Sequence, residues 1–219
     1  LLLKKMRRTG NFDLQSSISL FSVSPIWIIY QTTMISANVF QYLQAESMFK
    51  LAKSHNWLIF AVINPSLQQR IAEFARGILL DIGCGDKPYK DMAAPYVDEH
   101  IGVDHEATFH DRSNIDLFGT AYAIPREDCS VDTVLCTDVL EHLEEPGMAV
   151  DESFRVLKQG GYAIYTVPLF WHIHEAPRDF YRYTEFGLKY LFEKSGFEIL
   201  EIKALSGFVV TSCQGLVYV

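Results

Sequence analysis

Gly77-Ile-Leu-Leu-Asp81-Ile-Gly83-Cys84-Gly85-Asp-Lys-Pro-Tyr89 is the stretch that decides the fold of this 219-residue chain. An apolar run of strand length ends in an acid, two glycines one residue apart follow, and a proline then opens a helix. A strand, a tight glycine turn and a helix start together form a nucleotide-binding device. A two-glycine turn is weak evidence by itself, so the assignment depends on what the rest of the chain supplies.

Downstream of this stretch, short apolar runs alternate with helical patterns. The strand-like runs are residues 78–82, 100–104, 114–117, 131–136, 162–167 and 197–202. A helix from Pro146 is expected to stop at Gly160-Gly161, and another runs from a Thr184 cap to Gly196. This alternation predicts a Rossmann-like, doubly wound α/β sheet that is mostly parallel, with ligands beyond the carboxyl ends of its strands. Only residues 205–219 remain for a seventh strand, which we expect to be short or missing, with 215–219 as its candidate.

The first third of the chain is less informative. We predict a mostly helical cap or lid over residues 1–63 and a catalytic domain over 64–219, with a helix opening at Asn64-Pro65. Serines and Pro25 interrupt the apolar run of residues 18–30, which predicts a cytoplasmic protein and leaves membrane-surface contact as a minor alternative. The chain begins with Leu1 rather than Met, which is compatible with a fragment of a longer protein.

Charge and cysteine usage exclude some classes. The formal net charge of −8 argues against a duplex nucleic-acid partner, which would require a basic stripe. The four cysteines form no C-x-x-C pair and no zinc spacing, so we expect reduced thiols and no metal site.

Six sequence elements resemble the class I S-adenosylmethionine-dependent methyltransferases. In order they are Leu80-Asp-Ile-Gly-Cys-Gly85, Gly102-Val-Asp104, Ile124-Pro125, Val131-Asp-Thr-Val134, Val139-Leu-Glu-His-Leu143 and Phe154-Arg-Val-Leu-Lys-Gln-Gly-Gly161. The fifth element is similar to a branch of the family that carries V-L-E-H-L after strand four. The segment His174–Thr184 resembles a bacterial subgroup of that branch whose methyl acceptors are mostly unassigned. The resemblance implies S-adenosyl-L-methionine as cofactor.

The resemblance also implies where the cofactor lies. The glycine turn brings backbone N–H groups to the methionine end, the acid before it faces the ammonium group directly or through water, and the acid ending strand two accepts from both ribose hydroxyls. His105 lies along the adenine or faces solvent. The implied cofactor-binding residues are Asp81, Gly83, Cys84, Gly85, Asp104, His105, Ala121 and Thr137.

Two positions depart from the family pattern. Lys87 stands where a third glycine is usual, and Thr120 replaces the acid that normally precedes Ala121 and holds the adenine edge. Asp116, slightly earlier in the chain, is a possible substitute acid.

Catalysis needs an acceptor nucleophile held in line with the methyl group, and a base only if the acceptor must lose a proton. The candidate catalytic residues are His142, His172, His174 and Asp179. His142 either faces the acceptor or bonds a neighbouring loop, and His172-x-His174-Glu175 is a minor alternative for metal binding. Asp138, Tyr181 and Arg182 are the candidate substrate-binding residues, and Arg182 suits a carboxylate or phosphate on the acceptor.

The leading hypothesis is methyl transfer to a small-molecule or lipid- or sugar-linked acceptor. The first alternative is a non-catalytic or weakly cofactor-binding interaction module. The second is a nicotinamide-dependent dehydrogenase, whose fingerprint wants a third glycine where this chain has Pro88.

Overall fold

The computed structural model describes residues 1–6, 56–108 and 111–216. The chain divides into two compact units, one of Leu1–Arg7 with Leu67–Ala204 and the other of Arg8–Ser66 with Leu205–Val219. The candidate site lies wholly within the first unit. Among the described residues, no helix combines the length and apolar character that crossing a membrane requires.

A seven-stranded mixed sheet forms the centre of the first unit. The strands are β1 (Leu2–Lys5), β2 (Ile78–Ile82), β3 (Glu99–Asp104), β4 (Leu117–Phe118), β5 (Val131–Thr137), β6 (Leu157–Thr166) and β7 (Phe197–Glu201). Their order across the sheet is β4-β3-β2-β5-β6-β1-β7. The neighbours from β4 to β6 pair in parallel, whereas β1 runs antiparallel to both β6 and β7. The predicted α/β, mostly parallel class is confirmed, and β2, β3 and β5 end at the same edge.

The antiparallel strand comes from the opposite end of the chain to the one the sequence suggested. Leu2–Lys5 enters the sheet, with Leu3 opposite Ala163 on one side and Ile199 on the other. Leu3 is fully buried in the core. The candidate strand at 215–219 is wrong over its described part, because helix α5 (Phe208–Leu216) reaches into it. An open position between two strands accepts any extended segment that reaches it, and local sequence patterns carry no information about which one does. Residues 2–5 therefore belong to the sheet and not to the cap predicted over 1–63, most of which lies outside the described residues.

The described α-helices are α1 (Trp57–Phe74), α2 (Lys90–Ala93), α3 (Pro146–Val156), α4 (Glu185–Ser195) and α5. Pro65 lies inside α1, so the predicted helix opening and the predicted 63/64 boundary both fall within a helix. A proline inside a helix removes one backbone hydrogen-bond donor. The helix that begins with the apolar run of residues 57–63 nevertheless continues past Pro65. The α4 caps are as predicted: Thr184 Oγ1 accepts from Gly187 N, and Gly196 is left-handed with φ 100°.

The glycine pair after α3 does not stop the helix. The α3 helix ends at Val156, and β6 begins at the next residue, which pairs with Val131. Gly160 and Gly161 lie inside β6, where the pairing register shifts, and a Cβ on Gly161 would lie 2.8 Å from Asp132 O. Gly161 permits a close approach of the neighbouring strand, whereas Gly160 adopts a left-handed φ of 74° with open space around its Cα.

A buried hydrophobic cluster packs the central strands of the sheet against α4. It includes Leu80, Val134, Leu157 and Tyr165 from central strands and Phe192 from α4. The Tyr165 and Phe192 rings meet edge to face with centroids 4.9 Å apart. This packing fixes the strand ends from which the candidate site is built.

Candidate active site

The turn after β2 is built from two left-handed glycines. Gly83 has φ 67° and Gly85 has φ 47°. Gly83 N and Cys84 N donate to Val103 O at 2.9 and 3.3 Å, so the turn is tied to the end of β3. A Cβ on Gly83 would lie 2.5 Å from Val139 Cγ2, which leaves no room for a side chain. The predicted tight turn is confirmed.

Asp104 is joined directly to this turn. Its Oδ2 accepts from Gly85 N at 3.0 Å and its Oδ1 accepts from His105 N at 2.7 Å. The carboxylate is 7% exposed at the end of β3. Each carboxylate oxygen has two lone-pair sites, so each oxygen can accept one more hydrogen bond. A buried carboxylate with one free acceptor position on each oxygen fits a ribose diol. His105 has a side chain 38% exposed, with Nε2 4.0 Å from Asp104 Oδ1.

Lys87 replaces the usual third glycine with an ion pair. Its φ of 51° keeps the left-handed conformation of a glycine position. Its ammonium group pairs with the Asp116 carboxylate and donates to His100 O at 3.3 Å. Asp116 Oδ2 also accepts from Gly102 N at 2.6 Å. Burial works in the opposite direction, but the bonds from Lys87 and Gly102 hold the pKa of Asp116 below its ordinary value. Asp116 is therefore already engaged in the turn, and the structure does not support its use as the substitute adenine acid.

Asp81 is paired with a histidine that the sequence analysis did not single out. Its Oδ2 lies 3.0 Å from His100 Nε2, and the residue is 2% exposed. Burial raises the pKa of Asp81, which the bond to His100 partly offsets. Contact between Asp81 and the cofactor's ammonium group, directly or through water, stays a prediction. Gly102 pairs with Asp81 across the two strands, and His100, two residues before it, lies on the same face of β3. This alternation of side chains was the sequence signal that could have placed His100 near Asp81.

The loop carrying Ala121 is held by side chains of α3. Arg155 donates to Ile124 O at 3.0 Å and to Arg126 O at 2.8 Å. Glu152 Oε1 accepts from Ile124 N at 3.0 Å and pairs with Arg155 at 2.6 Å. The hydrogen bond from Arg155 lowers the pKa of Glu152 despite partial burial. The sequence analysis assigned no role to either side chain, although both positions belong to or adjoin the Phe154–Gly161 element.

The chain leaving β5 forms the opposite wall of the site. Thr137 ends the strand, and Asp138 follows with φ 52°. Asp138 Oδ1 accepts from Thr166 Oγ1 at 3.0 Å. Left-handed non-glycine residues are uncommon and are concentrated at functional sites. Three of the four such residues in the described chain, Lys87, Asp138 and Glu175, belong to loops of this site.

Glu141 is a functional candidate that the sequence analysis missed. It lies in the 3₁₀ turn Leu140–His142 and is 0% exposed. Its backbone carbonyl accepts from Phe180 N and Tyr181 N at 2.8 and 3.2 Å, which anchors the loop after β6. Burial raises the pKa of its carboxyl to about 8. The V-L-E-H-L segment contained this residue, but the sequence alone gave no reason to bury its side chain.

The predicted histidines His142 and His174 come together beside Glu141. Their rings meet edge to face with centroids 4.6 Å apart. His142 Nδ1 lies 2.5 Å from Arg178 O, so this histidine does bond a neighbouring loop. Its Nε2 faces Glu141 and Glu175 carboxylate oxygens, each 3.8 Å away. The His172 ring is farther off, 6.2 Å from that of His174.

Asp179 and Arg182 form a pair behind His174. Arg182 donates to both Asp179 oxygens at 2.6 and 2.8 Å, and His174 N donates to Asp179 Oδ2 at 2.9 Å. These hydrogen bonds hold the pKa of Asp179 well below its usual range. A carboxylate bound in this way does not take up a proton near neutral pH, which argues against the predicted role of Asp179 as a base. Arg182 also donates to His172 O at 2.9 Å, so its guanidinium is largely engaged within the loop. Tyr181 donates through its hydroxyl to Glu144 O at 3.0 Å.

Comparison with known proteins finds similarity over the central part of the chain. Residues 80–165 match a methyltransferase domain family. A probable S-adenosylmethionine-dependent methyltransferase of Mycolicibacterium smegmatis is 36% identical over 107 residues, which are 46% of this chain and 42% of that protein. An uncharacterized methyltransferase of Bacillus subtilis is 34% identical over 94 residues, 38% of this chain and 37% of that protein. The chain thus spans about two fifths of the length of the curated relatives it matches.

Solved structures share the fold. An S-adenosylmethionine-dependent methyltransferase from Mesorhizobium loti superposes with a TM-score of 0.53 at 14% identity, covering 76% of this chain and 92% of that chain. The [4+2]-cyclase SpnF superposes with a TM-score of 0.55 at 22% identity, covering 74% and 68%.

Proposed function

We propose that this chain, which matches a methyltransferase domain over residues 80–165, transfers a methyl group from S-adenosylmethionine to a small-molecule or lipid- or sugar-linked acceptor. The observation that carries the proposal is the bond between the glycine turn and Asp104. That bond holds the glycine turn, whose backbone a ligand can approach closely, beside an acceptor for ribose at one edge of the sheet.

S-adenosylmethionine, when bound, supplies a methyl group on a sulfonium, which is already activated for in-line displacement. The residues that would hold it are Gly83, Cys84 and Gly85 at the methionine end, Asp104 at the ribose and Ala121 at the adenine. Lys87 keeps the turn closed through Asp116, and Arg155 with Glu152 holds the adenine-side loop. The domain therefore contributes mainly orientation, which can supply much of the barrier reduction for an activated donor.

The acceptor would lie on the side of Thr137 and Asp138. His142 is the candidate base there, because its Nδ1 faces a backbone carbonyl and therefore carries the proton in the neutral ring. The lone pair is then on Nε2, which faces the carboxylates of Glu141 and Glu175. A base would be required only for an acceptor that must lose a proton.

A non-catalytic or differently reacting protein is the second candidate. One protein with this fold is a [4+2]-cyclase, so the fold alone does not determine the reaction. A nicotinamide-dependent dehydrogenase is disfavoured, because Pro88 stands where its fingerprint has the third glycine.

Calorimetric titration with S-adenosylhomocysteine tests the cofactor assignment. We expect wild-type protein to bind it and Asp104→Ala to bind at least about tenfold more weakly, since hydrogen bonds to a charged group contribute about 1.5–3 kcal/mol each. Glu127→Gln, at an exposed residue of the loop after Ile124-Pro125, is the matched control and should bind as wild type. Binding of NADH with no response to S-adenosylhomocysteine would refute the assignment.

Turnover separates the two candidates. The protein is incubated with S-adenosylmethionine and either a lipid-soluble or a water-soluble pool of small molecules, and S-adenosylhomocysteine is measured. Production with one pool and loss of that production in Asp104→Ala support methyl transfer and indicate the acceptor class. Tight cofactor binding with no turnover in either pool favours the non-catalytic candidate.

A further inference from the structure

The carboxyl group of Glu141 is buried without a hydrogen-bond donor. Neither of its oxygens accepts a hydrogen bond from any other residue in the described part of the chain, and the residue is 0% exposed. A buried carboxyl group normally has charged or hydrogen-bonding partners, because the loss of its hydration is otherwise uncompensated. The neighbour that faces it is His142, whose Nε2 lies 3.8 Å from Glu141 Oε1. This separation is too long for a hydrogen bond but leaves room for an atom between the two groups.

His142 is oriented as a ligand. Its Nδ1 lies 2.5 Å from Arg178 O, which fixes the proton on Nδ1 and the lone pair on Nε2. Metal-binding histidines almost always donate the other ring N–H to a carbonyl or carboxylate in this way. The Nε2 atom is also 3.8 Å from Glu175 Oε2, so two carboxylates converge on the same lone pair.

His174 has a similar support. Its Nδ1 lies 3.4 Å from Asp179 Oδ2, and its backbone N–H donates to the same oxygen. Asp179 is itself held by Arg182, so the carboxylate behind the ring is fixed in position. A carboxylate–histidine arrangement orients the ring and increases its basicity toward a metal.

We propose that Glu141, His142 and His174 bind one divalent transition-metal ion. One ligand atom from each residue lies within 4.8 Å of the other two. Metal–ligand distances of about 2.1 Å bring ligand atoms to about 3–4 Å from one another, so only small side-chain rotations would close the site. Two imidazoles and one carboxylate favour Zn²⁺, Fe²⁺, Co²⁺ or Ni²⁺ over the harder Mg²⁺. The expectation of no metal, drawn from cysteine spacing and the sequence pattern around His172, did not consider this set.

The site would leave coordination positions for the acceptor. Three protein ligands with open positions are typical of catalytic metal sites, and a hydroxyl or carboxylate oxygen on the acceptor suits such a position. This consequence rests on the proposed function, whereas metal binding does not. Metal coordination would use the His142 lone pair and so would replace its role as a base, with the metal lowering the pKa of an acceptor hydroxyl.

Zinc titration followed by calorimetry, on protein first treated with a chelator and exchanged into metal-free buffer, tests the proposal. We expect one Zn²⁺ per chain and at least tenfold weaker binding in each of Glu141→Gln, His142→Ala and His174→Ala. Asp179→Asn should weaken binding by about 10–100-fold through the orientation of His174. Glu127→Gln is the matched control and should bind Zn²⁺ as wild type does. Mg²⁺ at the same concentrations should bind much more weakly.

Cofactor binding provides an independent check on folding. Each ligand variant should still bind S-adenosylhomocysteine, which shows that it is folded, because none of the three substituted residues is one of those that would hold the cofactor. No heat with Zn²⁺ or Co²⁺ up to about 100 µM, or equal Zn²⁺ affinity in wild type, Glu141→Gln and His142→Ala, would overturn the proposal. Either result would leave the cofactor assignment intact, so the two failures are distinguishable.

Discussion

Gly102→Ala provides a strict test of how the cofactor turn is packed. Gly102 lies in the middle of β3, opposite Asp81 of β2, and needs no left-handed conformation. Glycine is required at position 102 because the neighbouring side chains leave no room for a Cβ. An added Cβ would overlap Lys87 Cε and would lie 2.6 Å from Cys84 Sγ and 3.0 Å from Cys84 Cβ. The substitution therefore presses a single methyl group against the turn.

The expected cost follows from what can move. The Lys87 side chain cannot swing aside freely, since its ammonium group is paired with Asp116 and bonded to His100 O. Overpacking a tight site by a methyl group costs about 1–3 kcal/mol. Replacing glycine in a strand returns about 0.5–1 kcal/mol of backbone entropy. The difference is about 0–2.5 kcal/mol with a central value of about 1 kcal/mol, so with a urea m-value of about 2 kcal/mol/M we expect the midpoint to fall by about 0.5 M.

Urea unfolding and titration with S-adenosylhomocysteine measure the two consequences. Because the crowding displaces Cys84 in the turn, the affinity for the cofactor product should fall along with stability. Gly147→Ala, in the first turn of α3, is the matched control. Its added Cβ would lie 3.9 Å from Leu191 Cδ1, an ordinary contact, so the urea midpoint of this variant should be unchanged or higher. The reasoning is refuted if Gly102→Ala unfolds at or above the wild-type midpoint and binds with wild-type affinity.

Two further predictions concern polar groups that the sequence analysis left unassigned. Lys5 is buried and donates to Phe154 O and Leu157 O at 2.6 and 2.7 Å, so Lys5→Met keeps the packing but leaves these carbonyls without that donor. We expect a loss of about 1–3 kcal/mol in urea unfolding, against less than about 0.5 kcal/mol for Lys4→Met, and equal losses in the two variants would contradict this account. The hydrogen bond from Arg155 is the main cause that lowers the pKa of Glu152 in the folded protein. The ionised carboxylate therefore stabilises the fold above the ordinary glutamate pKa of about 4.3, and this stabilisation is lost as pH falls through the lower pKa of the folded state. Glu152→Gln should therefore be less stable than wild type at pH 7 and converge with it in acid, and a difference that stays constant from pH 7 to pH 3 would rule out this linkage.

The parts of the fold that were predicted correctly are those with local causes. The strand ending at Ile82, the turn at Gly83 and Gly85, and the caps of α4 each depend on residues within a few positions of one another. The errors at Pro65 and at Gly160-Gly161 have the opposite origin. In both places a residue that commonly ends an element was kept inside one by its neighbours in space.

The candidate site shows the same division. The positions of Asp104 and the glycine turn followed from spacing, because parallel strands end at one edge of a sheet. The partners of Asp81, Asp179 and Glu141 did not follow, since a side chain's burial depends on which loops cover it. His100 lies 19 residues from Asp81 in the chain, and Arg178 lies 36 residues from His142.

The sequence by itself determined an α/β sheet with a glycine turn and an acid at the end of the next strand, because hydrophobic period, glycine spacing and acid placement are local properties of the chain. Only the tertiary structure decided that residues 2–5 supply the antiparallel strand, that Lys87 closes the turn through Asp116, and that Glu141 meets His142 and His174. These contacts join groups that are distant or unpatterned in sequence, and their energies depend on burial and relative orientation. Those quantities exist only once the sheet and its loops are assembled.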